Sequence, residues 1–259
     1  MRLALLYNPR LLCERVAQLS HARRRLASLR GTVARNLTLG HIESLELLNL
    51  LRPLEIKTIY DIGANVGTWT LLAKALYPQA EVHAFEPLPL HHSVFAREAG
   101  SLDGVFLHKV ALGESDGVAS MRVTDFSDAS SILPLTEAGR RQWNISELAQ
   151  EQVRMERLDG YRQKAQLPAP SLIKLDVQGF ELNVLRGAER CLEESCAVLT
   201  EVSFREFYEA QCAFEDVVTF LAEHEFTLFA LGQGTTTGLP LSQADALFVA
   251  KRFLDRLSN

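Results

Sequence analysis

Long apolar runs, paired cysteines and, over most of its length, basic charge are what this sequence lacks. No stretch reaches the ~18 apolar residues of a membrane span, so the sequence offers no transmembrane helix. Cys13, Cys191, Cys196 and Cys212 form no C-x-x-C pair and have no histidine at zinc spacing, which argues against a zinc ribbon or a redox dithiol and fits buried thiols in a reducing compartment. Internal repeats and low-complexity tracts are also missing. Residues 36–259 carry 19 Lys and Arg against 31 Asp and Glu, so this acidic body is a poor surface for a nucleic acid. Residues 1–35 reverse the balance, with eight Arg and one Glu. Met1 to Tyr7 look like the start of a signal peptide, but Asn8, Pro9 and Arg10 interrupt it before an adequate apolar core develops. A cytoplasmic location is expected.

What is there reads as an ordinary globular chain, 47% hydrophobic and 23% charged, which leaves little room for disorder. Leu12, Val16, Leu19, Leu26, Leu29 and Val33 recur at helical spacing, with Arg15, Arg23, Arg24, Arg25 and Arg30 on the other face. That basic face is either a solvated surface or a contact for an anionic membrane surface or a partner protein. Ile42, Leu45, Leu48 and Leu51 make a second helix that ends before Pro53. Residues 1–55 are therefore expected to form an N-terminal helical accessory segment, and residues 56–259 a separate α/β domain.

From Ile56 onward strands and helices alternate, the pattern of a mostly parallel sheet covered on both faces. Expected strands lie at 58–62, 80–85, 105–112, 153–158, 172–177 and 197–202, with an antiparallel addition at 118–123 and a closing hairpin at 226–231 and 246–250. Residues 124–150 are polar and irregular at first and then helical through Trp143 and Leu148, as a lid or binding segment would be.

The most informative run is Thr58-Ile-Tyr-Asp61-Ile-Gly63-Ala-Asn65-Val-Gly67-Thr68, with Glu86 closing the next strand. Gly63 and Gly67 permit a tight turn and a ligand against bare backbone. Glu86, nineteen residues beyond Gly67, sits at the interval expected of a carboxylate that accepts hydrogen bonds from a ribose. A dinucleotide fingerprint would need G-x-G-x-x-G, whereas here the glycines are four apart and Asp61 adds negative charge beside the loop. This suits a cationic sulfonium better than a pyrophosphate, so S-adenosylmethionine is the expected ligand and NAD the rival.

A second strand-to-helix junction, Ile173-Lys174-Leu-Asp176-Val-Gln178-Gly-Phe-Glu181, should bring Asp176 to the same sheet edge. Strand alternation puts Lys174 on the face of Asp176, so Asp176 serves either an internal ion pair or chemistry. Glu201, ending the next strand, is a weaker candidate base. Asp176 and Glu201 lack an evident third oxygen ligand, and no metal is assigned. His91, His92 and His108 read as surface or packing residues.

Taken together, Asp61-Ile-Gly-Ala-Asn-Val-Gly67, Phe85-Glu-Pro87, Ala111-Leu-Gly-Glu-Ser-Asp-Gly117, Ser130-Ser131, Leu158-Asp159, Ile173 to Glu181 and Leu185-Arg-Gly-Ala188 resemble the FkbM-type family of S-adenosylmethionine-dependent methyltransferases. The resemblance implies a Rossmann-like class I methyltransferase sheet of seven strands, mostly parallel with an antiparallel closing strand. It also implies methyl transfer to a hydroxyl of a small-molecule or glycan acceptor. By the same resemblance Asp61, Gly63, Asn65, Gly67, Glu86 and Ala111 hold the cofactor, and Asp176, with Glu201 behind it, serves the reacting centre. One departure stands out: the family usually has Glu at Gln178. A non-catalytic adenosylmethionine-binding or scaffold protein is the alternative that this departure keeps open.

Overall fold

A computed structural model describes residues 20, 23–232, 235–236 and 241–257. After α1 (Ile42–Leu50) come β1 (Thr58–Ile62), α2 (Thr68–Leu76), β2 (Glu81–Phe85), α3 (Pro89–Glu98), β3 (Val105–His108), β4 (Ala111–Leu112), β5 (Gly117–Thr124), α4 (Glu137–Trp143) and β6 (Glu147–Glu156). The chain continues through α5 (Leu158–Ala165), β7 (Leu172–Leu175), α6 (Glu181–Arg186), α7 (Glu189–Glu194), β8 (Ala197–Ser203), α8 (Phe214–Glu223), β9 (Phe226–Leu231), β10 (Thr235–Thr236) and β11 (Leu241–Ala250).

The main sheet runs β3–β2–β1–β7–β8–β11, with β9 and the short β10 on the other edge of β11. Neighbours from β3 to β8 are parallel, and β11 lies antiparallel to β8 and β9. This is the expected Rossmann-like sheet with an antiparallel closing strand. Every residue of β1 is buried, Asp61 included, because helices cover both of its faces.

Alternation along the strands then feeds two cores. Ile59 points to one face, where Trp69 and Leu72 of α2, Phe95 of α3 and Leu45 and Leu48 of α1 pack. Tyr60 and Ile62 point to the other, against Leu158, Val184, Leu185, Leu192, Val217 and Leu221. Burying each such aliphatic side chain contributes about 1.5–3 kcal/mol. α1 thus shares its core with the sheet, so the boundary expected at residue 55 runs through a single packed cluster. The basic stripe before it is described only in part: Arg23, Arg24, Arg25 and Arg30 are exposed, whereas Leu12, Arg15, Val16 and Leu19 lie outside the described residues, as does Cys13.

Three local expectations change. The strand expected over 105–112 breaks after His108, and β4 joins a second, three-stranded sheet, β4–β6–β5. β5 is antiparallel as expected, but its partner is β6 and not the main sheet. Leu148, expected in a helix, lies in β6, because α4 ends at Asn144 with a left-handed backbone (φ 52°) and the following residues pair with β5. Local helical spacing loses here to cross-strand hydrogen bonds. Among the described residues no helix is long and apolar enough to cross a membrane.

Candidate active site

A cleft of about 500 Å³ opens beyond the carboxyl ends of β1, β2, β7 and β8, where open α/β sheets place their ligands. Residues 62–66, 85–87 and 110–112 line one side, and Asp176, Gln178, Glu201 and Asp245 the other.

The glycine loop is cinched to the end of β2, because the backbone N–H groups of Gly63 and Ala64 both donate to the Phe85 carbonyl at 3.0 Å. Both glycines have left-handed backbones, Gly63 at φ 78° and Gly67 at φ 88°. What lies against them is protein, contrary to the sequence expectation of a ligand. A Cβ on Gly63 would sit 1.9 Å from the Asp176 carbonyl oxygen, and one on Gly67 would sit 2.9 Å from Cδ2 of Phe95. The glycines let the loop nest against the β7 turn and α3.

Asn65, also left-handed at φ 49°, links three parts of the site. Its backbone N–H donates to Glu86 Oε2 at 2.9 Å, and its side-chain amide donates to Asp128 Oδ1 at 3.0 Å. Glu86 is buried, takes a second backbone N–H from Leu88 at 2.7 Å on Oε1, and has His91 Nδ1 at 3.2 Å. Oε2, with one N–H donor, keeps a second lone pair for a ligand hydroxyl. Among the described residues, Asn65 Oδ1, Trp69 Nε1 and His91 Nε2 are buried without a protein partner, and their residues line the cleft. Buried polar groups without a protein partner are available to a bound ligand or water.

Asp61 and Gly67 are not among the lining residues, whereas Gly63, Asn65, Glu86, Ala111, Asp176 and Glu201 are. Asp61 lies beneath the loop, fully buried, accepting from Thr70 Oγ1 at 2.6 Å and pairing with Lys174 Nζ at 3.2 Å. The register explains the pair, since Asp61 and Lys174 are direct neighbours on β1 and β7. Lys174 also donates to the Gly63 carbonyl at 3.2 Å and lies 5.7 Å from the centroid of Trp69. Burial disfavours its charge, but Asp61 and then Asp176 outweigh burial and hold its pKa up. Its contact with Asp176 is longer, at 3.7 Å, so the ion pair expected between 174 and 176 is the secondary one.

Asp176 therefore remains half-exposed at the mouth of the cleft. Around it gathers an acidic cluster. Gln178 Nε2 donates to Asp176 Oδ1 at 2.6 Å and to Glu201 Oε2 at 3.3 Å, and Gln243 Nε2 donates to the same Glu201 oxygen at 3.0 Å. Burial, followed by the charges of Asp176, Glu181 and Asp245, raises the Glu201 pKa well above the usual range. Asp245 is pushed up to about 6, mainly by burial, although Ser44 Oγ donates to it at 2.6 Å. Among the described residues no group of three His, Cys, Asp or Glu side chains is arranged to hold a metal ion.

Several lining residues carried no signal in the sequence: Thr38, His41 and Ser44 come from the N-terminal segment, and Gln243 and Asp245 from the closing strand, whereas Asp128 and Trp143 belong to the 124–150 segment expected to bind. Burial and then the charge of Lys174 lower the His41 pKa. His91, read as a surface or packing residue, lines the cleft beside Glu86, while His108 is held away from it between His83 (3.0 Å) and the Tyr161 hydroxyl (3.0 Å). Ser131 braces the site by donating to the Gln178 carbonyl at 2.7 Å.

A nucleoside-binding α/β fold with an acidic cleft at its switch edge is the class these features define. The Methyltransferase FkbM domain model matches residues 61–228, and the chain belongs to that family, whose cofactor is S-adenosylmethionine. It is 33% identical over 144 residues to Methyltransferase 1 of Beauveria bassiana, covering 51% of this chain and 58% of that one. To the 2-O-methyltransferase NoeI of Sinorhizobium fredii it is 30% identical over 176 residues, 64% of this chain and 72% of the relative. The 31-O-demethyl-FK506 methyltransferase FkbM of Streptomyces tacrolimicus shares 26% identity over 225 residues, 76% and 82% of the two chains. The match thus spans less than two thirds of the Beauveria protein.

Proposed function

We propose that the protein is an S-adenosylmethionine-dependent O-methyltransferase whose acceptor is a hydroxyl on a saccharide or a secondary metabolite. The observation that carries this reading is a half-exposed carboxylate, Asp176, fixed by an amide at 2.6 Å in the cleft that also holds the glycine loop and Glu86. Methyl transfer to oxygen is supported by relatives named for 2-O and 31-O positions, and a saccharide by the hexuronic acid methyltransferase AglP of Haloferax volcanii, 25% identical over 149 residues.

In this reading Glu86 and Asn65 hold the ribose end of S-adenosylmethionine, with Gly63 and Ala111 shaping the wall. Asp61 and Gly67 act from beneath, one by anchoring Lys174 and the other by letting α3 approach. The cofactor supplies a methyl group already activated on sulfonium. The protein's part is to align an acceptor oxygen and take its proton. Asp176 takes the proton, because it is the more open carboxylate and is held in place by the Gln178 amide. Glu201 is crowded by like charge and buried, and so serves as a hydrogen-bonding wall more than as a base.

Calorimetry with S-adenosylmethionine tests the binding half. A screen of hydroxylated acceptors, read as S-adenosylhomocysteine formed, tests the transfer half. Asp176→Asn should lower turnover by roughly 10²–10⁴, the range of a positioned acid or base, while cofactor affinity changes little. Near-normal turnover per folded molecule would remove Asp176 from the chemistry.

A further inference from the structure

Gln178 is the residue in the cleft whose environment the proposed chemistry has not used. It stands on the turn after β7 with a left-handed backbone at φ 57°, an uncommon conformation for a residue other than glycine. Four neighbours hold it. Ser131 Oγ donates to its carbonyl at 2.7 Å, the Tyr208 hydroxyl shares its one proton between Oε1 at 2.9 Å and the Ala129 carbonyl at 3.0 Å, and Nε2 faces the carboxylates of Asp176 and Glu201. Nε2 carries two N–H groups and has two acceptors, Asp176 Oδ1 and Glu201 Oε2, so the amide is matched to its site. Tyr208 is itself fully buried, and its ring packs in the lid core with Ala129, Leu135, Ile145 and Phe207.

We propose that Gln178 is a positioning residue: aimed by Tyr208, its neutral amide spans Asp176 and Glu201 and holds the Asp176 carboxylate pointed into the cleft. The consequence for catalysis rests on the reading of Asp176 as proton acceptor. Without the amide the two carboxylates would face each other with only Lys174 Nζ, 3.7 Å from Asp176, as a nearby positive charge. Like charges so close favour protonation of one of them. Of the remaining groups around the pair, Glu181 on α6 and Asp245 on β11 add to this effect on Glu201 and Lys174 on β7 opposes it, while His41 faces Asp176 and Asp128 from the segment before α1. Gln243 secures Glu201 from the β11 side, but it makes no hydrogen bond to Asp176. The link between the two carboxylates is therefore Gln178.

The test uses the full chain with carboxyl-13C-labelled Asp and Glu, and it needs no acceptor. Titration by NMR should show the carboxyl transitions of the cluster moving to higher pH in Gln178→Met, further in Gln178→Glu, and least in Tyr208→Phe. With an acceptor from the screen, the acid limb of the pH–rate profile should move the same way, and Gln178→Met should lose about tenfold in turnover. Coincident titrations in Gln178→Met and the unsubstituted protein overturn the proposal. Should Gln178→Met fail to fold, unshifted titrations in Tyr208→Phe do the same. Titrations that move while Asp176→Asn keeps its turnover support the hold of Gln178 on the pair and defeat instead the role of Asp176 as base.

Discussion

The two ends of the cleft solve the same problem differently. At the β1–β2 end one buried carboxylate, Glu86, is satisfied by backbone N–H groups of Asn65 and Leu88, both within three residues of a strand end. At the β7–β8 end three carboxylates, Asp176, Glu201 and Asp245, accept from side chains: Gln178 from the turn beside Asp176, and Gln243 and Ser44 from distant parts of the chain. Backbone donors cannot leave without unfolding the loop, so the first end is fixed by the fold itself. Side-chain donors depend on residue identity, and burial raises the pKa values of Glu201 and Asp245. The first arrangement suits holding a ligand, and the second suits handling a proton.

The most damaging way to break this contrast is at Gly63, where the two ends touch. Gly63→Ala puts a Cβ 1.9 Å from the Asp176 backbone oxygen at a left-handed position. It should cost about 4 kcal/mol or more, because neither backbone can yield cheaply. A chemical-denaturation curve close to that of the unsubstituted protein would show that the two ends are less tightly coupled than their contact implies.

Glu181, at the edge of the acidic end, gives a pH test. Burial raises its pKa to about 7, although the N–H groups of Val177 and Gly179 donate to it. The folded state therefore binds this proton more tightly than the unfolded state, and the contribution to stability falls as pH rises from about 4.5 to about 7. The loss amounts to about 3 kcal/mol. Glu181→Gln should flatten that decline. On the β2–β3 side the sign is opposite: burial lowers His83 and His108 to about 4, so their contribution is lost as pH falls from about 6.5 toward 4. Melting curves across pH 4–8 separate the two, and an unchanged slope in Glu181→Gln would count against the burial argument.

The smallest expected effect is at the backbone-held end. Glu86→Ala removes the proposed ribose acceptor and should weaken cofactor binding by about 1.5–3 kcal/mol, typical of a hydrogen bond to a charged group. It also leaves two N–H groups without their acceptor, so stability should fall as well. Unchanged affinity by calorimetry would place the ribose elsewhere.

These contrasts also explain what could be read early. The β1 loop and Glu86 were legible because a strand, a turn and the next strand end lie within thirty residues and obey local geometry. Asp176 was legible for the same reason, as the end of a strand in a parallel sheet. The Lys174–Asp176 pair was legible from alternation along one strand, but the shorter pair with Asp61 was not, because it depends on the register across β1–β7. His41, Ser44, Gln243 and Asp245 gave no sign, since nothing local brings residues some two hundred positions apart to one cleft.

The sequence by itself determined the alternating α/β order, the two junctions that carry Glu86 and Asp176, and the resemblance to a methyltransferase family, because hydrophobic period, glycine placement and strand ends are properties of neighbouring residues. Only the tertiary structure decided that α1 belongs to the core, that the glycines make room for protein, and that Gln178 stands between two carboxylates. Those outcomes depend on packing across the sheet, where the partner of a side chain is set by register and burial and not by its distance along the chain.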